Sequence, residues 1–166
     1  MNEGRGTITI YSDTVYFTLW VHLFMLAFQI FWIYFFVALQ VQGYPWPSLF
    51  FDVFAVLWAL MWINSRHLGF LITADYVEFG FGVVKKRIKR SELISCEPYQ
   101  VHFRNYLGYG IRIGFDRTIA FIGRSGLAVK MVLKDGKWSY VVNVNDPAKI
   151  CDLLSKSKST YREEKG

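Results

Sequence analysis

From Val15 to Val41 the chain carries no Asp, Glu, Lys or Arg. This 27-residue run, VYFTLWVHLFMLAFQIFWIYFFVALQV, constrains the fold more than any other feature. A helix needs about 20 apolar residues to cross roughly 30 Å of hydrocarbon, so the run can span with tilt. A secretory signal has a basic start, an apolar core of about 7 to 15 residues and a small-residue cleavage site. Here the core is longer, and only Arg5 precedes it, beside Glu3 and Asp13. The run reads as an uncleaved span. A second run, WPSLFFDVFAVLWALMWIN from Trp46 to Asn64, is shorter and contains Asp52. Alone it fits a membrane helix or a buried core helix. Beside the first run it reads as the returning arm of a hairpin. The link Gln42 to Pro47 is uncharged and rich in turn formers, and Tyr44 and Trp46 suit a membrane–water interface.

Charge orients the hairpin. Residues 1 to 14 hold one basic and two acidic side chains, whereas residues 65 to 166 hold 18 Lys and Arg against 10 Asp and Glu, a net +8. The positive-inside rule then places both termini in the cytoplasm of a two-pass cell-membrane protein. In that compartment Cys96 and Cys151 are expected as free thiols, and their spacing matches no metal motif.

After Asn64 the pattern changes to short β-favouring runs separated by turn signals. Expected strands cover 70–73, 76–79, 83–88, 93–96, 111–115, 119–122, 127–133 and 138–144. Asp135-Gly136 in KDGK is a strong hairpin signal. Asp146 followed by Pro147 is a helix N-cap with proline at the first helical position, and Ile150, Leu153 and Leu154 make an apolar stripe. The expected domains are a cytoplasmic segment 1–14, a hairpin 15–64 with helices 15–41 and 46–64, a sheet domain 65–157 and a flexible polar tail 158–166. The expected fold class is an α+β membrane protein, with a small antiparallel barrel of about seven strands capped by a C-terminal helix.

Particular stretches carry a family resemblance. The basic strand ending in RSELISCE, the segment Tyr109-Gly110-Ile111-Arg112, the LKDGK hairpin and the helix DPAKICDLL are similar to the bacterial pleckstrin-homology-like domain. The resemblance covers roughly residues 70 to 157. It implies a barrel behind a two-helix membrane anchor, a layout that also occurs in assembly factors for photosynthetic complexes.

Signals for chemistry are sparse. In NYLGYGIRIGFDRTIAFIGRSG, Gly108 and Gly110 begin a Gly-x-Gly-x-x-Gly pattern, but residue 113 is Ile and Gly114 comes one residue late. A strand follows instead of a helix, and no Walker lysine is present, so these glycines read as turns. On a strand, Lys85, Arg87 and Lys89 share one face, and Lys86, Ile88 and Arg90 the other. This run serves topology and solubility, or contacts anionic lipid headgroups, or meets an acidic partner. Without interleaved aromatics it makes no stacking platform for nucleic acid. Arg104, Arg112, Arg117 and Arg124 are candidate partner contacts.

Ionisable groups inside a span are functional candidates by default. Folding the hairpin about Tyr44-Pro45 sets Asp52 level with Val37, and His22 level with His67. Asp52 and His22 are then roughly 20 Å or more apart and form no proton pair. His22 and His67 make an incomplete metal site, since closed zinc sites take four ligands. No catalytic trio, cofactor motif or metal set stands out. Ten of the 27 residues of the first run are Phe, Trp or Tyr, which a two-helix hairpin cannot bury by itself. The expected function is therefore a non-catalytic accessory or assembly subunit of an integral membrane protein complex. The alternatives are an anionic-lipid-binding or membrane-organising module, and an enzyme or transporter component using Asp52 or His22.

Overall fold

An additional strand precedes the first apolar helix. The computed structural model describes residues 9–43, 45–106, 108–114 and 117–163. Residues 1–8, with Glu3 and Arg5, Tyr44 of the connecting turn, Phe115 and the end of the tail lie outside the described residues. In chain order come β1 (Thr9–Tyr16), α1 (Leu19–Val41), α2 (Pro45–Asn64), β2 (His67–Thr73), β3 (Tyr76–Phe81) and β4 (Val84–Lys89). After a 3-10 turn at Arg90–Glu92 follow β5 (Leu93–Val101), the short α3 (Phe103–Tyr106), β6 (Gly110–Ile113) and β7 (Thr118–Ile122). The chain continues through β8 (Gly126–Leu133), β9 (Ser139–Asn143) and α4 (Pro147–Glu163). It divides into a helical unit, Phe17–Arg66, and a sheet unit formed by the residues on both sides of it.

β1 pairs antiparallel with β2 from Thr9↔Thr73 to Tyr16↔His67. The first two residues of the charge-free run, Val15 and Tyr16, thus belong to a strand. Val15 is buried, while Tyr16 faces outward. This alternation is the period-2 signature of a half-buried strand, hidden in the sequence by the apolar helix beside it.

The sheet unit is not a closed barrel. Four strands form one sheet in the order β1-β2-β3-β4, and five form another in the order β5-β8-β9-β7-β6. The 3-10 turn at Arg90–Glu92 separates β4 from β5 and sends them into different ladders, which leaves β1, β4, β5 and β6 as edges. Nor is the unit wholly antiparallel, because β7 and β9 run parallel from Thr118↔Ser139 to Phe121↔Val142. Apolar faces of both sheets meet in one core. Leu68, Phe70 and Ile72 of β2 and Val77, Phe79 and Phe81 of β3 are buried on the inner face. Phe79 meets Phe121 edge-on at 5.0 Å and Tyr140 at 5.6 Å, while stacking with Phe70 at 6.2 Å.

α4 follows the expected capping. The Asp146 carboxylate accepts the Lys149 N–H at 3.0 Å, and Pro147 opens the helix. Ile150 and Leu154 are buried, as their helical spacing requires. The helix continues to Glu163, past the point where a flexible tail was expected.

In the helical unit, α1 ends at a local stop signal. Gly43 takes the left-handed conformation, φ 76°, and its N–H bonds the Gln40 carbonyl, a turn that glycine closes without side-chain strain. Pro45 then opens α2, where its missing N–H costs nothing. The helices pack antiparallel through rings spaced at helical intervals. Phe28 meets Trp58 at 4.6 Å, Trp32 meets Phe54 at 4.9 Å and Phe35 meets Phe51 at 5.0 Å. α1 is long and apolar enough to cross a membrane, and α2 holds the shorter apolar segment Leu49–Asn64.

Phe79 bridges both sheets, so Phe79→Ala should cost about 3–5 kcal/mol. Unfolding of the detergent-solubilised protein followed by far-UV circular dichroism checks this, and a loss below 1 kcal/mol contradicts the shared core.

Candidate functional site

The basic strand β4 is largely committed to the fold. Its outward row places Arg87 opposite Glu78 and Lys85 opposite Gly80. Directly opposed and diagonal residues on one sheet face reach each other, and both cations converge on one carboxylate. Arg87 bonds Glu78 at 2.7 and 3.1 Å, and Lys85 does so at 3.1 Å. The Arg87 guanidinium also lies 4.3 Å from the Tyr76 ring centroid, in cation–π range. Ile88 points into the core. Arg90 donates to the Thr73 carbonyl and the Leu153 carbonyl, both at 2.9 Å. It thereby joins the end of β2 to α4, and burial lowers its pKa. Lys86 and Lys89 remain exposed, with the Lys86 ammonium 5.9 Å from the Tyr140 ring centroid. A run of five cations therefore presents far less open charge than its composition implies.

On the same outer face, Gly69 and Gly80 stand opposite each other. The missing side chains leave a depression of about 210 Å³ bordered by Thr14, His67, Glu78 and Lys85. A Cβ on Gly80 would come within 2.1 Å of the Val84 carbonyl oxygen, so glycine is required by the close turn of β4. Both carboxylates that line it are engaged, Glu78 by Lys85 and Arg87, and Asp13 by the Thr14 and Asn145 N–H groups.

The arginines of the 105–126 stretch do not gather. Arg117 and Arg124 flank opposite ends of β7, seven residues or roughly 23 Å apart at strand rise. Arg112 lies on edge strand β6, with its guanidinium beside Gly108. Arg117 adopts a left-handed backbone, φ 57°, and Arg104 lies in α3. Arg124 donates to Asn145 at 2.7 Å. The glycines do serve turns. The buried Asn143 side chain accepts the N–H groups of Gly123 and Arg124 and donates to the Leu127 carbonyl, which fixes the β7–β8 turn. Asp13 is likewise structural: its carboxylate accepts the Thr14 and Asn145 backbone N–H groups at 2.8 and 2.7 Å, and also the Asn145 side-chain amide.

The intramembrane candidates fall differently from the expected register. The ring pairs centre the helical turn on Gly43, because that residue closes α1. His22 is therefore level with Asn64, and the indole N–H of Trp62, about half a turn away, donates to His22 Nδ1 at 3.3 Å. His67 is not its counterpart, since it belongs to β2 and lies beside Tyr16 at 6.3 Å. Asp52 falls level with Tyr34 instead of Val37, roughly 18 Å along the axis from His22. Among the described residues no group of three or more His, Cys, Asp or Glu is gathered to hold a metal ion.

The cysteines are not free thiols. Cys96 of β5 and Cys151 of α4 form a disulfide, with Cα atoms 5.2 Å apart. Expected compartment alone argued for thiols. What brings the sulfurs together is the packing of α4 on β5, across a sequence separation of 55 residues. Comparison with protein-family models, with curated proteins and with solved structures yields no match.

Two outcomes follow from this geometry. The Glu78 pKa lies below its ordinary 4.5, chiefly through the Arg87 hydrogen bonds and then Lys85, which together outweigh burial. A lowered folded-state pKa contributes stability that is full above pH 4.5 and fades as pH falls through the folded value. Glu78→Gln should therefore flatten the acid limb of the stability-versus-pH curve below pH 4.5, and an unchanged limb refutes the coupling. Separately, Cys96→Ser should lower stability by about 2–4 kcal/mol through loop-closure entropy, and reducing agent should destabilise wild type but not the variant.

Proposed function

We propose that this chain is a two-pass membrane protein acting as a non-catalytic accessory or assembly subunit of a larger membrane complex. In this reading the helical unit binds laterally, and the sheet unit, of the bacterial pleckstrin-homology-like kind that its motifs resemble, reads the adjoining aqueous face. Strand pairing supports the two-pass part. Tyr16 and His67 are partners in one ladder, so the chain must leave and re-enter the sheet unit on one side of any bilayer. If α1 crosses, α2 has to cross back.

The observation that carries the docking is the distribution of rings. The seam between α1 and α2 is already filled by Phe28, Trp32, Phe35, Phe51, Phe54 and Trp58. A second set remains outside it, with Trp20 77%, Phe24 64%, Phe31 54%, Tyr34 71% and Phe50 68% exposed. Lipid tails give helices no hydrophobic drive to associate, so lateral docking rests on packing. Wide, stiff rings supply that packing area.

Orientation follows charge at the span ends. Arg66 adjoins α2, while residues 42–47 between the helices hold no charge, which favours a cytoplasmic sheet unit. The Cys96–Cys151 bond favours an oxidising compartment. Flanking charge acts when the helices insert, whereas a disulfide forms only afterwards, so the charges take precedence.

Purification in mild detergent followed by mass spectrometry should recover stoichiometric membrane partners. Replacing Phe24, Phe31 and Tyr34 together by Leu should release them while leaving the protein in the membrane fraction. A wild-type chain that purifies as a clean monomer refutes the subunit reading. Labelling of Arg66→Cys by a membrane-impermeant maleimide on intact cells reads the orientation, and ready labelling reverses it.

A further inference from the structure

The register of the first sheet places a distinct set of residues at one of its ends. Tyr16 pairs with His67, Leu68 with Phe81, and Phe81 with Val84. The two-residue turn Gly82-Val83 therefore lies at the end of the sheet from which the chain departs at Phe17 and returns at Arg66. Gly82, φ 49°, occupies the first central position of the turn, as a tight hairpin of this kind requires. The opposite end carries the β2–β3 turn at Ala74-Asp75.

The turn is apolar where a solvent-facing turn is ordinarily polar. Val83 is 84% exposed and Val84 51%. Tyr16, at the same end, is 65% exposed. Two exposed cations are near it in sequence, Arg66 immediately before β2 and Lys86, the third residue of β4. A third, Arg124, lies near the same end, because Gly123 borders the Tyr16 carbonyl. Its guanidinium bonds the neutral Asn145 side chain. The nearby acids are engaged elsewhere, Glu78 with Lys85 and Arg87, and Asp13 with Asn145 and Thr14.

Covalent reach selects the occupant. Three residue steps separate Tyr16 from the first residue of α1, at most about 11 Å of extended chain. Three steps likewise separate Asn64 from His67. If α1 and α2 are embedded, this sheet end is held at the bilayer surface by two short tethers. We propose that the Gly82-Val83 turn is a membrane foot: Val83 and Val84 enter the interfacial region, Tyr16 sits at headgroup depth, and Arg66, Lys86 and Arg124 meet anionic headgroups. Apolar tips dip below the headgroups while cations and aromatic rings stay at their level. The foot rests on the two-pass reading and extends it by assigning the sheet unit a fixed end toward the bilayer. It also separates two roles within β4, since Lys85 and Arg87 build the sheet while Lys86 is left to the lipid.

The test uses the full chain in vesicles containing phosphatidylserine, under non-reducing conditions so that the Cys96–Cys151 pair is not labelled. Val83→Cys and, as a distal control, Asp75→Cys are each coupled to an environment-sensitive fluorophore. The Val83 label should shift to the blue and be quenched by headgroup-level nitroxide lipid, and the Asp75 label should do neither. Both sites are exposed turns, so the labels leave the core intact. If the protein floats with the vesicles after alkaline wash but the Val83 label behaves as the Asp75 label does, the foot is refuted while the spans stand. A protein that does not float refutes both. A Val83 shift that is equal in purely zwitterionic vesicles, or unchanged by Lys86→Glu, overturns the anionic contact.

Discussion

The antiparallel ladder between β1 and β2 is the constraint on which the rest of the molecule depends. It joins residues on either side of a 50-residue helical insertion, from Phe17 to Arg66. Without it the N-terminal strand would be a polar leader, and α1 could cross a bilayer with no obligation on α2. With it, Tyr16 and His67, the residues next to the two ends of the helical unit, are partners in one ladder. The ladder is supported on its inner face. Val15 is buried among apolar neighbours, and Asp13 is tied by hydrogen bonds to Asn145 just before α4. A buried carboxylate is costly unless its hydrogen bonds are made, and three N–H donors meet that requirement here.

Polar groups elsewhere follow the same logic of local satisfaction. Glu78 gathers Lys85 and Arg87, Arg90 meets two carbonyls, and Asn143 clamps a turn. Lys85, Arg87 and Arg90 looked available in the sequence, and each is used in folding. At the end of the sheet nearest the chain exits, Val83, Val84 and Tyr16 are exposed. The helical unit shows a similar division. Its inner rings complete a seam, and Trp20, Phe24, Phe31, Tyr34 and Phe50 remain largely exposed outside it.

The features that were legible in the sequence are those decided within a few residues. The absence of charge from 15 to 41 fixes an apolar helix, because no helix of that composition can be solvated on every side. Gly43 and Pro45 fix the turn, Asp146 and Pro147 fix the start of α4, and alternation fixes most strands of the sheet unit. Strand β1 was hidden because its last residues merge into the apolar run, so composition overrode a two-residue period. The glycines of 105–126 were legible as turns because the spacing for a phosphate loop fails within that segment itself.

Long-range partners were not legible, and only the tertiary structure supplied them. Which carboxylate holds Arg87, which carbonyls hold Arg90, and the meeting of Cys96 with Cys151 depend on ladder register and helix docking. So does the separation of the sheet unit into two sheets with a parallel β7–β9 pair. A sequence by itself determined where apolar surface begins and ends, because transfer from water is nearly a residue-by-residue property. Tertiary structure decided which charges stay open, because pairing depends on distances of a few ångströms between residues far apart in the chain.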